Sequence, residues 1–321
     1  MSVVPDVPDA GTRAVASRED ALVDAVLARV DPRRDDVLVA VVGPTASGKT
    51  ALGIALAERV DGEIVSADSV QIYRHFDVGS GKPTAEERRR AVHHLVDVVD
   101  PGAPIDAARF AELADAAVKD VRSRGKIPVL VGGTFLWVKA LVQGLAAAPA
   151  ADPTLRAEYD AFAKEHGRAA LHGRLAVVDP VSAAKLHPND FVRVSRALEV
   201  HTLSGRTLSD WHAEHGFRGA RYRTHFVALD HEAAILDERI TRRARAWLQG
   251  TWIDEVRSLH ARGYGDTRAM ASVGYKEVAA HVRGEIASED LETAVVRATR
   301  TFVRRQKTWL NGVDVQWLRA D

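Results

Sequence analysis

The chain has 321 residues, of which 46% are hydrophobic, and its 44 basic side chains balance its 44 acidic ones. This length suffices for one large domain or two smaller ones, and a zero net charge gives no bulk indication of a polyanionic partner. The sequence contains no cysteine, which excludes disulfides and thiolate metal sites and predicts a cytoplasmic protein, and it contains no apolar run of about 18 residues, which excludes a predicted membrane span.

The first part of the chain carries no recognisable motif. Its N-terminus is acidic and contains proline, which is not typical of a signal peptide. We predict that residues 1–18 are loose and that residues 21–30 form a short helix. Residues 1–36 are therefore interpreted as an extension ahead of the folded core.

A phosphate-binding pattern follows the first predicted strand. Residues 37–42 are continuously apolar, as in a buried strand, and residues 51–59 have the apolar spacing of a helix. The pattern G-x-x-x-x-G-K-[ST] lies between them and comprises Gly43, Pro44, Thr45, Ala46, Ser47, Gly48, Lys49 and Thr50. Backbone amides of such a loop surround a diphosphate, the lysine adds a positive charge, and the hydroxyl of Thr50 is a ligand for Mg²⁺.

Further strands alternate with helices along the chain. Strands are predicted at residues 62–67, 126–131, 223–229 and 313–318, and a helix at residues 107–124. This alternation predicts an α/β fold with an open parallel sheet flanked by helices, like that of P-loop NTPases. Ligands of such sheets bind at the carboxyl ends of the strands. Asp68 and Thr134 directly follow two of the predicted strands, so we expect both to lie beside the phosphate loop.

The segment from residue 151 to residue 216 interrupts this alternation. It follows an alanine- and proline-rich run, and only helical patterns are found within it. We interpret it as an all-helical insertion into a core formed by residues 37–150 and 217–321. The core's last helices carry Arg297, Arg300, Arg304 and Lys307 at steps of three and four, which places them in one basic stripe. A solvated helix face is the ordinary interpretation of such a stripe.

Several motifs together resemble those of bacterial tRNA dimethylallyltransferases, and they occur in the order expected for that family. Besides the phosphate loop they are ADSVQIY at 67–73, DVGSGKP at 77–83, HHLVDVVDP at 93–101, VGGT at 131–134, HPND at 187–190, RALEV at 196–200, VGYKE at 273–277 and RQKTWL at 305–310. The phosphate loop alone is weakly specific, but the ordered set is highly specific. The resemblance covers roughly residues 37 to 312.

The resemblance implies the reaction and its substrates. Members of the family transfer a dimethylallyl group from dimethylallyl diphosphate to N6 of the adenosine beside the anticodon, in tRNAs that read codons beginning with U. The phosphate loop would hold the diphosphate of the prenyl donor, with Mg²⁺ and Lys49 neutralising the leaving group. Asp68 matches the general base of the family, and Thr134 matches a residue that contacts the reacting amine or a phosphate. Alternative interpretations are a role for Asp68 beside the metal and a helix N-cap role for Thr134.

The resemblance also implies tRNA contacts, made with the anticodon stem-loop. The positions that match tRNA-binding residues of the family are Asp68, Ser69, Val70, Gln71, Arg156, Arg193 and Arg196, and we add Lys276 as a candidate. The family usually has Pro-Gln-Arg after HPND, whereas this chain has Phe191-Val192-Arg193, so one contact made by the glutamine is in doubt. Arg239 is a candidate for the diphosphate, with a solvated helix arginine as the alternative.

The runner-up function is a small-molecule kinase, which would share the phosphate loop and the parallel sheet. It does not account for VGGT, HPND, RALEV or the basic stripe. An enzyme that prenylates free adenine nucleotides would need neither the insertion nor the stripe. For the assembly we expect a monomer without a membrane partner.

Overall fold

A single parallel sheet forms the centre of the fold. The computed structural model describes residues 10–103, 105–216 and 220–320. Within these ranges the strands are β1 (Val37–Val42), β2 (Gly62–Ala67), β3 (His93–His94), β4 (Ile127–Gly132), β5 (Arg223–Asp230) and β6 (Val315–Arg319). They lie in the order β3-β2-β4-β1-β5-β6, and every neighbouring pair is parallel. The predicted parallel α/β fold is confirmed, and only the two-residue strand β3 had no counterpart in the prediction.

Helices connect the strands and cover the sheet. In the described ranges they are α1 (Ala10–Leu27), α2 (Lys49–Val60), α3 (Ala85–Arg90), α4 (Ala107–Ser123), α5 (Phe135–Gln143), α6 (Pro153–His166), α7 (Arg168–Val178), α8 (Pro180–Lys185), α9 (Phe191–Ser204), α10 (Leu208–His215), α11 (Ala233–Gln249), α12 (Trp252–Ala261), α13 (Tyr275–Val282) and α14 (Ser288–Leu310). None of the described helices is long and apolar enough to cross a bilayer.

Strand β1 is buried on both sides, which explains its unbroken apolar sequence. Leu38, Ala40 and Val42 contribute to one apolar cluster, and Val39 and Val41 contribute to a second one. Alternate residues of a strand point to opposite faces, so these two clusters are the cores on the two faces of the sheet. A strand in this position holds the phosphate loop at its carboxyl end with little freedom to move.

The chain divides into two compact units. Unit 1 comprises Met1–Val142 and Tyr222–Asp321, and unit 2 comprises Gln143–Arg221. In the described residues of unit 2 the regular elements are all helices, α6 to α10, and they pack around a separate apolar cluster that includes Leu171, Leu175 and Val194. The backbone amide of Tyr222 donates to the carbonyl of Val142 at 3.4 Å, so unit 1 is continuous across the insertion point.

Helix α1 begins earlier than predicted. It starts at Ala10, although residues 1–18 were expected to be loose, and residues 1–9 of that segment lie outside the described residues. Val23 and Val26 are buried in the second cluster, and Arg59 of α2 forms ion pairs with Asp20 and Asp24. The described part of this helix therefore packs on α2 through apolar and charged contacts.

Glu63 anchors the start of β2 and provides a test of this packing. Its buried carboxylate accepts hydrogen bonds from Arg124 Nη2 and pairs with His94 Nε2, both at 2.6 Å. The Arg124 guanidinium, with help from His94 and against the effect of burial, lowers the pKa of Glu63 from 4.5 to about 2. A lowered carboxyl pKa stabilises the fold above the unfolded-state pKa, and this contribution is lost as the pH falls toward 2.

We therefore expect Glu63→Gln to reduce the free energy of unfolding at pH 7 by about 2 kcal/mol. The difference from the wild type should shrink between about pH 5 and pH 2, as the wild-type carboxylate becomes protonated. Urea unfolding across this pH range measures the difference in free energy of unfolding. Glu112→Gln is the control, because its exposed pair with Arg109 should contribute little. Equal stability of the two variants at pH 7 would show that Glu63 does not anchor the strand.

Candidate active site

The phosphate loop, residues 43–48, connects β1 to α2 and is held from outside by one buried glutamine. Gln306 of α14 accepts a hydrogen bond from the Thr45 amide at 3.0 Å and donates to the Gly133 carbonyl at 2.9 Å. A Cβ at Gly133 would lie 2.6 Å from the Gln306 amide nitrogen, so only glycine allows this approach. Gly48 has a φ of 91°, in the region that favours glycine. The loop is thus fixed in shape by its own glycine and by α14.

Two half-buried cations lie next to each other at this loop. Burial, against the opposing attraction of Asp68 and with a smaller contribution from the neighbouring Arg243, lowers the pKa of Lys49 to about 8. Burial also lowers the pKa of Arg243 to about 10. The Arg243 guanidinium donates to Thr45 Oγ1 at 2.6 Å and lies 4.6 Å from the centre of the Trp247 ring. Two partly desolvated positive charges at one point are a strong site for an anion.

Arg239 extends the positive region toward the helix α2 terminus. With Ala46, Gly48, Lys49 and Thr50 it lines an open cavity of about 380 Å³, which also includes Arg242 and Arg243. Its Nη1 lies 3.4 Å from Nε2 of His231, which donates to the Ser47 carbonyl at 2.6 Å. The predicted diphosphate residues from Gly43 to Thr50 therefore lie together, and Arg239 joins them. Its position beside the loop favours the diphosphate over the solvated-helix interpretation.

Asp68 lies at the carboxyl end of β2, where the sequence places it. Its Oδ1 accepts hydrogen bonds from the backbone amides of Val70 at 2.9 Å and Gln71 at 3.2 Å. Its Oδ2 has no hydrogen-bond partner among the residues that the structure describes. One carboxylate oxygen is therefore fixed by the turn, while the other is available to a substrate.

Thr134 lies between β4 and α5, one residue after Gly133. Its hydroxyl accepts a hydrogen bond from the Ser69 amide at 3.0 Å and donates to Ser69 Oγ at 3.2 Å. The N-cap interpretation would require this hydroxyl to bond an amide of α5, and the bonds seen are to the β2 loop instead. Thr134 therefore joins the ends of β4 and β2 and positions the Asp68 turn.

These groups surround a cavity of about 420 Å³. Its polar lining includes Lys49, Asp68, Ser69, Thr134 and Arg243. Apolar side chains also line it, among them Ile240, Ala244, Trp247, Trp252, Val295 and Phe302. A volume of this size and mixed chemistry is typical of a small-molecule site. Cationic groups, a free carboxylate oxygen and apolar side chains thus line one space.

A divalent cation fits the residues next to Lys49. Thr50, Ser66 and Asp68 line one small recess of about 20 Å³ below the loop. In the described residues no group of three or more His, Asp or Glu side chains could hold a metal ion by itself. Mg²⁺ is commonly held by one or two protein oxygens together with substrate phosphates and water. The oxygens of Thr50 and Asp68 suit that mode.

Two of the predicted RNA-contacting residues in unit 1 differ in their availability. The Gln71 amide is engaged within the protein, donating to the Gly81 carbonyl at 2.8 Å and accepting from Ser66 Oγ at 3.2 Å. Lys276, near the start of α13, is exposed. Gln71 thus shapes the wall of the site, and only Lys276 presents a side chain to solvent.

The three predicted arginines of unit 2 are also paired. Arg156 and Arg196 both bond the fully buried carboxylate of Glu199, at 3.1 Å and 2.6 Å respectively. Arg193 pairs with Asp190 at 2.8 Å but keeps 73% of its side chain exposed. Val192, the departure from the family pattern, is 75% exposed. Of the three, Arg193 offers the most charge to a partner.

Sequence reasoning missed Arg243 and the bridging role of Gln306. Arg243 lies four residues after Arg239, so both are on one face of α11, and this spacing was the available signal. Gln306 falls within the RQKTWL motif, but nothing local distinguishes a buried glutamine from a solvated one. Its role depends on contacts with residues 45 and 133, far away in sequence.

Comparison with known proteins agrees with this geometry. The sequence profile of the IPP transferase family matches residues 71–312. A tRNA dimethylallyltransferase of Sorangium cellulosum is 60% identical over 311 residues, which is 97% of this chain and 96% of the relative. One from Anaeromyxobacter dehalogenans is 53% identical over 276 residues, covering 85% of this chain and 91% of the relative.

Solved structures give the same result. The tRNA isopentenylpyrophosphate transferase of Bacillus halodurans is 36% identical with a TM-score of 0.66, covering 89% of this chain and 90% of that one. A eukaryotic dimethylallyltransferase captured acting on tRNA is 25% identical with a TM-score of 0.73, and the match covers 89% of this chain and 74% of that one. Profile, relatives and structures agree with one another, and the chain belongs to the IPP transferase family.

Proposed function

We propose that this enzyme transfers a dimethylallyl group from dimethylallyl diphosphate to N6 of the adenosine beside the anticodon in tRNAs that read codons beginning with U. The observation that carries the proposal is one cavity whose lining combines Lys49 of the phosphate loop, Asp68 and several apolar side chains. A diphosphate, a prenyl group and an aromatic amine require these three kinds of group. A kinase would need no apolar side chains beside its terminal phosphate.

The leaving group is diphosphate, and the cations of the loop favour its departure. In the reaction the bond between N6 and C1 of the prenyl group forms, while the bond between C1 and the diphosphate oxygen breaks. Negative charge then accumulates on the diphosphate, next to Lys49, Arg239 and Arg243. Preorganised charges that meet developing charge of opposite sign lower the barrier, because they need no reorganisation during the reaction.

Asp68 is the proposed acceptor of the proton that N6 loses. The adenine amine is a poor nucleophile, because its lone pair is delocalised into the ring. The free Oδ2 faces no competing partner among the described residues, while Oδ1 stays bound to two amides. Thr134 and Ser69 hold this turn against the end of β4, so the carboxylate is positioned before substrate arrives.

The IPP transferases need a divalent metal ion, and we propose Mg²⁺ as the ion used here. Thr50 would hold it, with the Asp68 carboxylate nearby and phosphate oxygens of the donor completing the set. When bound, the ion neutralises charge on the diphosphate.

We further propose that unit 2 binds the anticodon stem-loop, with Arg193 as its most exposed predicted contact. Its own apolar cluster makes it a separately packed insertion, and the hydrogen bond between Tyr222 and Val142 leaves its ends close together in unit 1. RNA binding consists largely of phosphate contacts, so loss of several contacts at once has a large effect.

Replacing residues 143–221 by a short Gly/Ser linker is therefore expected to leave dimethylallyl diphosphate binding within several-fold of the wild type. Binding of the stem-loop should fall by more than about tenfold, with a shallower salt dependence, because phosphate contacts are lost. Calorimetry measures the binding of dimethylallyl diphosphate, and fluorescence anisotropy measures the binding of the stem-loop. If the shortened protein bound the stem-loop like the wild type, the RNA contacts would lie in unit 1.

The test of the function itself is an acceptor competition. The protein is incubated with dimethylallyl diphosphate, Mg²⁺ and an equimolar mixture of unmodified tRNA, AMP and ATP, and products are identified by mass spectrometry. We expect only tRNA to gain one dimethylallyl group, at one adenosine. Prenylated AMP would instead identify a nucleotide prenyltransferase, and phosphoryl transfer from ATP without prenylation would identify a kinase.

A further inference from the structure

A second cavity, which we call the Trp317 cavity, includes one residue of the phosphate loop in its lining. Its volume is about 310 Å³, and its lining includes Pro44, Asp230, His231, Lys307, Asn311 and Trp317. This volume is within the range of ligand pockets. The reaction proposed above uses neither the cavity nor its tryptophan.

Trp317 is unusual among the tryptophans of this chain. It lies on the edge strand β6 and keeps 45% of its surface exposed, whereas Trp137 and Trp252 are buried. Among the described residues no aromatic ring or guanidinium group packs on its face. Exposing a large flat ring to water is unfavourable, and an open indole face in a cavity is a stacking surface for another flat group.

The polar groups around this ring suit a nucleobase. Asp230 is exposed and can accept a hydrogen bond from an exocyclic amine. The Asn311 amide can both donate and accept, and in the described part of the chain neither it nor the Lys307 ammonium is bonded to another side chain. A stacking ring, an amide and a carboxylate together recognise a base that carries an amino group.

The basic stripe leads to this cavity. Arg297 and Arg304 are exposed on α14, and Lys307 and Asn311 continue the same face at steps of three and four. Arg300 lies between them but is paired with Asp237. The stripe therefore offers cations along the helix and ends at the ring, as in proteins that bind single-stranded nucleic acid through phosphate contacts and stacked bases.

The phosphate loop and α14 contribute residues to both cavities. Thr45 and Gln306 line the catalytic cavity, while their chain neighbours Pro44 and Lys307 line the Trp317 cavity. Consecutive Cα atoms are about 3.8 Å apart, so the two linings approach each other at these two places.

We propose that the Trp317 cavity binds a second nucleobase of the RNA substrate, stacked on Trp317, while the target adenine occupies the catalytic cavity and the phosphates run along Arg297, Arg304 and Lys307. The inference rests on the proposed function, because it takes RNA as the substrate. It adds a stacking subsite in unit 1, separate from the contacts expected of unit 2.

The test compares Trp317→Ala and Trp317→Phe in the full-length protein. Stacking is worth about 1–3 kcal/mol per base, which is about 5- to 150-fold in affinity. We therefore expect Trp317→Ala to weaken stem-loop binding by about tenfold or more, measured by anisotropy, and Trp317→Phe to stay within threefold. Lys307→Ala should reduce the salt slope of binding by about one. Arg257→Ala, which removes an exposed arginine of α12, is the control and should change neither the RNA affinity nor the salt slope.

The outcomes distinguish this inference from the proposed function. With RNA at saturation, Trp317→Ala should transfer the prenyl group within threefold of the wild type, because the ring contacts no reacting atom. Unchanged RNA affinity of Trp317→Ala, while the wild type prenylates tRNA, would overturn the stacking subsite alone. Competition by free AMP that depends on Trp317 without an effect on RNA would overturn it in favour of a mononucleotide pocket. A wild-type protein that binds no RNA would overturn both.

Discussion

Asp68→Asn is expected to lower the single-turnover rate of prenyl transfer by about 10²- to 10⁴-fold, the usual worth of general-base assistance. The substitution should preserve the turn, because an asparagine oxygen can keep the two hydrogen bonds that Oδ1 accepts from the amides of Val70 and Gln71. Only the basicity of the free oxygen is lost. Stem-loop affinity should change little, and rapid-quench measurements with radiolabelled donor give the rate.

Two comparisons complete this test. Asp254→Asn, which alters an exposed carboxylate on α12, should leave the rate unchanged. Full recovery of the Asp68→Asn rate at high Mg²⁺ would mean that Asp68 serves the metal ion, and the proton must then go elsewhere.

Lys49→Ala is expected to weaken binding of dimethylallyl diphosphate and to lower the rate of the chemical step by about 10²- to 10³-fold. Charge on the leaving group grows as its bond to carbon breaks, so a neighbouring cation counts for more in the transition state than in the bound substrate. Isothermal titration and single-turnover kinetics separate the two effects. A rate within threefold of the wild type would contradict the assignment of the phosphate loop.

Lys49 also predicts a pH dependence. The pKa of its ammonium is lowered to about 8 in the free enzyme, so the positive charge is present below pH 8 and is lost as the pH rises through it. Affinity for the diphosphate should therefore decrease above about pH 8. Lys49→Arg keeps its charge, so its affinity should depend less on pH. Lys126→Ala, which removes a partly exposed lysine paired with Asp61, should keep the pH dependence of the wild type.

Much of the fold was accessible from the sequence because its signals are local. The apolar run of β1, the glycines of the phosphate loop and the periodicity of α4 each depend on a few consecutive residues. Strand β3 was missed because a two-residue strand has no periodicity, and its pairing with β2 is decided by tertiary contact. The start of α1 was also misplaced, and the packing of this helix on α2 is likewise a tertiary contact.

Some residues of the site could likewise be predicted from local sequence, and others could not. Asp68 and Thr134 could be assigned because the carboxyl ends of parallel strands always lie at the same edge of the sheet. The pairing of Arg156 with buried Glu199 could not be foreseen, because it requires α6 and α9 to pack first, whereas Arg196 reaches Glu199 from three residues away on α9 itself. Arg243 needed the same knowledge of α11, whose register decides which arginine of the series faces the cavity.

The discontinuity of unit 1 has a consequence for biosynthesis. Strand β1 pairs with β4 on one side and with β5 on the other, and the second pairing joins Val37 to Arg223. A nascent chain can form β1, β2 and β4 early, but one edge of β1 stays unpaired until the whole of unit 2 has left the ribosome. An apolar strand with an open edge is prone to associate with other chains. Early folding of the helical insertion would hold the two ends of the insertion close together. The chain segment that β5 must close to reach β1 would then be effectively shorter.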